Sequence, residues 1–175
     1  KIMKFKDLLN LQYGINSDRI DKKELMRILP KTPEDVIEQF YSDHGRKDSF
    51  QNQYENIDLS RIMWSPLSVR VDKLSDCSYY KRFETRVNAC VVWGDHIANE
   101  GWDYLNFYPV RVVNLWKTAK TWFRIPIMIN GNLINLDSTY HLVEGHSRLG
   151  LLKGLVRSAI LENTSSHKIW YGDYK

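Results

Sequence analysis

The chain has 175 residues, of which 43% are hydrophobic and 26% charged. That balance supports a packed core and excludes a chain disordered throughout, and no run approaches the ~18 apolar residues of a membrane-spanning helix. The net charge of +4 favours an anionic partner, while the two cysteines, Cys77 and Cys90, show neither CxxC nor metal-ligand spacing.

The first residues lack the apolar stretch of a secretory signal, so a cytoplasmic protein with reduced thiols is the expectation. Residues 4–12 carry Phe5, Leu8, Leu9 and Leu11, with Gly14 as a stop, and predict a helix. Ser17 is placed to cap a second helix with Ile20, Leu25, Ile28 and Leu29 on its apolar side and Pro30 beyond it. Thr32-Pro33-Glu34-Asp35 reads as a third helix start, with threonine as cap and proline and acids in the first turn. That helix buries Val36, Ile37 and Phe40 and ends at Gly45. Residues 46–56 are polar and read as a linker or long loop. The chain therefore divides into a helical N-terminal segment, 1–56, and a core, 57–175.

From Ile57 the texture changes. Ile57, Leu59 and Ile62 introduce Trp64-Ser65-Pro66-Leu67-Ser68-Val69-Arg70, read as a short strand and a turn. Residues 79–97 predict a helix with Phe83, Val87, Cys90 and Val91 on one face, interrupted near Gly94. The pattern over 110–116 leaves helix and strand both open. Ile125, Ile127 and Ile129 alternate as in a strand, and Asn130-Gly131 supplies a tight turn. Residues 133–136 extend an irregular hairpin. Residues 140–143 form its second strand, which runs into Glu144-Gly145. Residues 147–157 predict a helix burying Leu149, Leu152, Leu155 and Val156. Gly150 and Gly154 lie four apart on it, each costing ~1 kcal/mol against alanine, which calls for a close neighbour on that face. Residues 167–171 close the fold as a strand.

The junction Glu144-Gly145-His146-Ser147-Arg148 carries the chemistry. Glycine takes backbone angles that other residues avoid, and the first amides of the following helix have no internal partners. Those amides and the helix dipole suit an anion such as phosphate. Ser147 can cap the helix or donate to a phosphate oxygen, and Arg148 offers a bidentate clamp. His146 offers a donor or proton shuttle. Glu144 offers a carboxylate for Mg2+ or another divalent cation, or for orienting a water. An ordinary strand-to-helix turn with a capping serine is the alternative reading.

This junction, with the Ile125-Pro126-Ile127 strand before it and the leucine-rich helix after it, resembles the second box of the ParB/sulfiredoxin superfamily. Trp64-Ser65-Pro66 with Arg70 resembles the first box, and a long insertion, 71–123, separates the two. The resemblance implies an α+β fold, a small mixed sheet flanked by helices. It implies an ATP or CTP site formed by Arg70, Gly145, His146, Ser147 and Arg148, with Glu144, His146 and Arg148 as the catalytic set. Sulfiredoxins place a reactive cysteine where His146 stands, so sulfinic-acid repair is not expected. Partition proteins carry a glutamate-arginine pair where His146-Ser147 stands and append a DNA-reading domain, so a complete partition protein is not expected of a chain ending at Lys175. The pattern is closer to the stand-alone branch, which includes ATPases and DNases, and to fertility-inhibition proteins of conjugative plasmids.

Between Tyr104 and Ile160 basic residues far outnumber the acids Asp137 and Glu144. Lys117, Lys120 and Arg124, among tryptophans, are candidate DNA contacts through phosphate or base stacking, with core packing the favoured role for the tryptophans. Two functions follow. One is a nucleotide phosphohydrolase that handles DNA, with DNase activity, in plasmid biology. The other is a non-catalytic inhibitor or regulator docking on a conjugation or partition component. A small-molecule kinase is a third.

Overall fold

The computed structural model describes residues 2–175; Lys1 lies outside the described residues. β3 (Ile127–Ile129) shows how the molecule is layered. Ile127 and Ile129 enter one hydrophobic core and Met128 the other, and all three are fully buried. Only a strand covered on both faces can be apolar at every position. Among the described residues the sheet has five strands in the order β1-β5-β3-β4-β2. The others are β1 (Ile62–Arg70), β2 (Ser78–Tyr79), β4 (His141–Glu144) and β5 (Ser166–Tyr174). β1 and β5 pair antiparallel, β5 and β3 parallel, β3 and β4 antiparallel, and β4 and β2 parallel. The fold is α+β with a mixed sheet, as expected.

One face is covered by the N-terminal residues: a 3-10 turn (Phe5–Asn10), α1 (Lys22–Ile28), α2 (Glu34–Val36) running into a π-helical turn (Ile37–Ser42), and α3 (Asp48–Tyr54). Phe5, Phe40, Tyr41, Phe50 and Tyr54 pack there against Trp64, Ile127, Ile129 and Val143. Phe5 stacks on Phe40 with centroids 5.1 Å apart. The opposite face carries α4 (Val71–Ser75), α5 (Glu84–Val91), α6 (Trp93–Glu100), α7 (Val110–Ala119) and α8 (His146–Arg157). Leu149, Leu152 and Leu155 of α8 meet Val69, Met128, Leu142 and Ile169 of the sheet.

Several elements depart from the sequence reading. Residues 46–56 are not a linker. They contain α3, whose Phe50 and Tyr54, one turn apart, are buried, and whose buried Gln51 donates to the Phe5 carbonyl at 3.2 Å. Asp21, not Ser17, caps α1 by accepting from the Lys23 amide at 3.0 Å. Pro33, not Thr32, is the residue before α2, and no side chain caps it. The interrupted helix expected over 79–97 begins instead as β2 and a 3-10 turn (Lys81–Phe83), while its remainder divides near Gly94, as expected, into α5 and α6. The turn after β3 is not a two-residue hairpin but a 3-10 turn (Gly131–Ile134), with the Asn130 side chain accepting from the Asn132 amide. Residues 110–116 are helical, and α7 ends where Lys120 turns left-handed at φ 55°.

β1 is a full nine-residue edge strand, which explains Pro66. Its partner Trp170 turns its amide to β3, donating to the Pro126 carbonyl at 2.9 Å. Pro66 therefore sits in a non-hydrogen-bonded pair with its ring nitrogen on the open edge. A proline there breaks no ladder bond and blocks further strand addition.

The two helix glycines of α8 have the close neighbour they required. An added Cβ on Gly150 would overlap the Val87 carbonyl of α5, and one on Gly154 would overlap the Val91 carbonyl. α5 and α6 thus lie backbone-to-backbone on α8.

Candidate functional site

β4 ends at Glu144, Gly145 turns the chain at φ 113°, and α8 begins at His146. Glycine is needed there twice over. The angle is left-handed, and a Cβ would lie 2.9 Å from that of Pro126. No side chain caps α8, and Leu149 is the first residue whose amide bonds back, to the Gly145 carbonyl at 2.9 Å. The amides of His146, Ser147 and Arg148 precede it without intrahelical partners. The residues that carry them, with Phe83, Arg86, Glu144 and Gly145, line a cleft of about 220 Å3.

α5 delivers Arg86, whose Nε donates to Ser147 Oγ at 2.9 Å. Among the described residues no carboxylate pairs with Arg86. His146 is 7% exposed and stacks on Phe83 at 3.9 Å between centroids. Its Nε2 is buried without a hydrogen-bond partner. Burial pushes the ring down to about 4, outweighing the Glu144 charge, with His44 and Arg148 adding to the effect. His146 is therefore an uncharged imidazole at neutral pH.

Glu144 is held from two layers. Oε2 accepts from His44 Nε2 at 2.8 Å, and Oε1 accepts from Arg148 at 3.3 Å. Burial pushes the carboxyl up, but the His44 hydrogen bond and the charge of Arg148 outweigh it and hold Glu144 below its ordinary value. Lys47 Nζ lies 3.0 Å from His44 Nδ1. Lysine only donates, so Nδ1 accepts and Nε2–H faces Glu144. The His44 ring also stacks on Phe50 at 4.1 Å.

Arg148 is less available than its place in the motif suggests. One terminal nitrogen donates to the Arg124 carbonyl at 2.8 Å, and the other serves Gln39 Oε1 at 3.0 Å and Glu144. Its fork ties α8 to the N-terminal layer. Arg70 does not line the cleft; it pairs with Asp72 at 3.1 Å at the exposed start of α4. Arg124 lies 3.6 Å from both Asp35 and Glu38. Lys120 lies over the Trp102 ring at 5.4 Å, and Lys117 is exposed on α7. Neither lysine lines the cleft.

Glu144 is the one carboxylate lining the cleft, and both its oxygens already accept hydrogen bonds. Among the described residues no group of three histidine, cysteine or acidic side chains is arranged to hold a metal ion. A single carboxylate flanked by arginines is a poor cage for Mg2+, which is bound through one or two carboxylates together with substrate phosphates.

His44, Gln39 and Arg86 were not singled out from sequence, and Phe83 was read only as part of a helix's apolar face. The first two come from the N-terminal layer, about a hundred residues from the motif, where no local pattern points to them. Arg86 had an indirect signal: the Gly150/Gly154 stripe demanded a close helix, and Arg86 precedes the Val87 that fills that role. No family model matches the chain, and neither a curated protein nor a solved structure matches it.

Proposed function

We propose that the cleft takes a phosphate group, and that the protein is a nucleotide-binding phosphohydrolase of the ParB/sulfiredoxin type that acts on ATP or CTP and handles DNA. One observation carries the reading. The start of α8 with its open amides, Arg86 with no carboxylate partner, and a neutral His146 line one small cleft. Such donors suit an acceptor-rich ligand, and phosphate is one. The order of the two boxes, and an acidic-glycine turn leaving an inner strand of the sheet, support the superfamily assignment.

In this reading Arg86, Ser147 and the amides hold the phosphate, and the neutral His146 packs beneath them against Phe83. Glu144 is kept ionised by His44 and Arg148. A carboxylate has about four lone-pair sites, two of which are used, so Glu144 retains capacity to orient a water. Arg148 acts as a positioning residue. Mg2+, where it takes part, enters on the nucleotide's phosphates. Preorganised positive groups would supply most of the rate.

The test is ATP and CTP binding and hydrolysis with Mg2+, and nicking of plasmid DNA, for wild type and Arg86→Ala. Turnover or binding that Arg86→Ala loses while staying folded supports the reading. A wild type that binds neither nucleotide and leaves DNA intact ends it. The inhibitory or regulatory alternative draws on a specific feature: Phe107 and Val110 are 56% and 74% exposed, an apolar surface available to a protein partner.

A further inference from the structure

A second hollow, of about 560 Å3, lies where α6 ends and is lined by Glu100, Asp103, Tyr104, Asn106 and Phe107. None of these residues lines the cleft at the start of α8. Glu100 is the last residue of α6, and Gly101 then turns the chain at φ 85°, an angle that favours glycine. A 3-10 turn (Trp102–Leu105) follows, anchored by the fully buried Leu105. The reversal gathers two acids and two rings around one space.

The rings form a corner. Tyr104 and Phe107 have centroids 6.1 Å apart and planes at 87°. The Trp93 ring meets Phe107 edge-on at 5.3 Å, yet Phe107 is still 56% exposed. Glu100 is already oriented. Its Oε1 accepts from His96 Nδ1 at 2.8 Å, and the His96 ring stacks on Tyr104 at 4.4 Å. Carboxylate and ring are thus tied together within the fold itself. Among the described residues no lysine or arginine pairs with Glu100 or Asp103. Lys120 lies over the neighbouring Trp102 ring at 5.4 Å and forms an ion pair with neither acid.

These features decide the charge and class of an occupant. The face of an aromatic ring attracts a cation, and two carboxylates add to that attraction. The same carboxylates repel phosphate, which rules out nucleic acid. Among the described residues no third ligand joins the two acids to hold a metal ion. Arginine satisfies both halves of the hollow, because its planar guanidinium stacks on a ring while its fork meets carboxylate oxygens. Val110 is 74% exposed and, three residues after Phe107, lies at most roughly 11 Å away along the chain. A free small cation would leave Phe107 and Val110 in water. A polypeptide that carries the arginine can cover both.

We propose that this hollow receives an arginine side chain of a protein partner, whose flanking apolar residues cover Phe107 and Val110. The site stands independently of the phosphate reading of the cleft, and it gives the exposed Phe107 surface a partner of stated charge.

The test is fluorescence anisotropy with a labelled octapeptide that alternates arginine and leucine, against the same peptide with citrulline in place of arginine. Citrulline keeps the planar head group and loses its charge. Wild type should bind the arginine peptide, with affinity falling as salt rises, and should bind the citrulline peptide about fivefold more weakly. Phe107→Ala and Asp103→Asn should each weaken binding of the arginine peptide about fivefold. Both side chains are exposed, and circular dichroism checks that the variants fold. Free arginine amide should compete far more weakly than the unlabelled peptide. No binding of the arginine peptide, equal binding of the citrulline peptide, indifference to either substitution, or competition by arginine amide as strong as by the peptide overturns the proposal.

Discussion

Replacing Gly154 by alanine sets two effects of opposite sign against each other. Alanine is the better helix former by about 1 kcal/mol, so an α8 with space around it would gain stability. Here the new Cβ would overlap the Val91 carbonyl and sit 3.1 Å from the Gly94 nitrogen. Both neighbours are backbone, which cannot rotate aside, so α5 and α6 must shift as units. Overpacking of this kind costs about 1–3 kcal/mol, and rigid backbone neighbours put the cost at the upper end. The net expectation is a loss of about 2 kcal/mol, which for a chain of this length lowers Tm by roughly 4–8 °C. The same interface holds Arg86 2.9 Å from Ser147, so phosphate or nucleotide binding should weaken together with stability. Urea and thermal unfolding measure the first effect and calorimetric titration the second. Gly14→Ala is the control, because its Cβ would meet only ordinary contacts, the nearest at 3.6 Å. A Tm that rises in Gly154→Ala would falsify the close packing of α8 on α5 and α6.

Arg148→Ala should behave as a stability mutation before it behaves as a binding mutation. It strands Gln39 Oε1 and the Arg124 carbonyl and strips Glu144 of its cation, a loss of about 3 kcal/mol readable as a fall in the urea midpoint. Arg86→Ala removes an exposed side chain and should leave that midpoint nearly unchanged; equal losses in the two variants would refute the distinction. Stability should also fall on mild acidification through two histidines outside the cleft. Burial pushes both His141 and His167 down to about 4, with the charge of His146 adding to the effect on His141. Between pH 6.5, their ordinary value, and pH 4, the unfolded chain binds protons that the folded chain refuses. Stability is therefore complete above that window and declines through it, by up to about 1.4 kcal/mol per pH unit for each histidine. Unfolding midpoints at neutral pH and near pH 5 test this, and a midpoint that does not move would count against neutral, buried rings.

The sheet-to-α8 junction was legible because its signals are local. Alternating isoleucines, a glycine forced to φ 113° and a leucine stripe each act within a few residues. The N-terminal layer was harder. Phe50 and Tyr54 do repeat at helical spacing, but polar neighbours dilute the pattern, and one of them, Gln51, is itself buried as a hydrogen-bond donor. β2 has only two residues and exists because the Ser78 amide finds the Tyr140 carbonyl at 2.9 Å. No periodicity can announce so short a strand. Phosphate-motif logic identified Arg148 but could not tell that Gln39 and the Arg124 carbonyl compete for its fork, since those partners lie 109 and 24 residues away.

Those distant partners show why the N-terminal layer belongs to the site. Trp170 on the sheet donates to Asp35 at 3.0 Å, and Asp35 accepts from Gln39 at 2.9 Å. Gln39 also donates to the Ile125 carbonyl and accepts from Arg148, which reaches Glu144, which in turn accepts from His44. The chain of bonds runs from β5 through the N-terminal layer to the turn that opens the cleft. Each member has its partner, so the network avoids the cost that an unpaired polar group would carry in a low-dielectric setting. Removing residues 1–56 would uncover Ile127, Ile129 and Val143 and also take His44 and Gln39 from Glu144 and Arg148. The layer that buries one face of the sheet is the same layer that fixes the charge and orientation of the site's carboxylate.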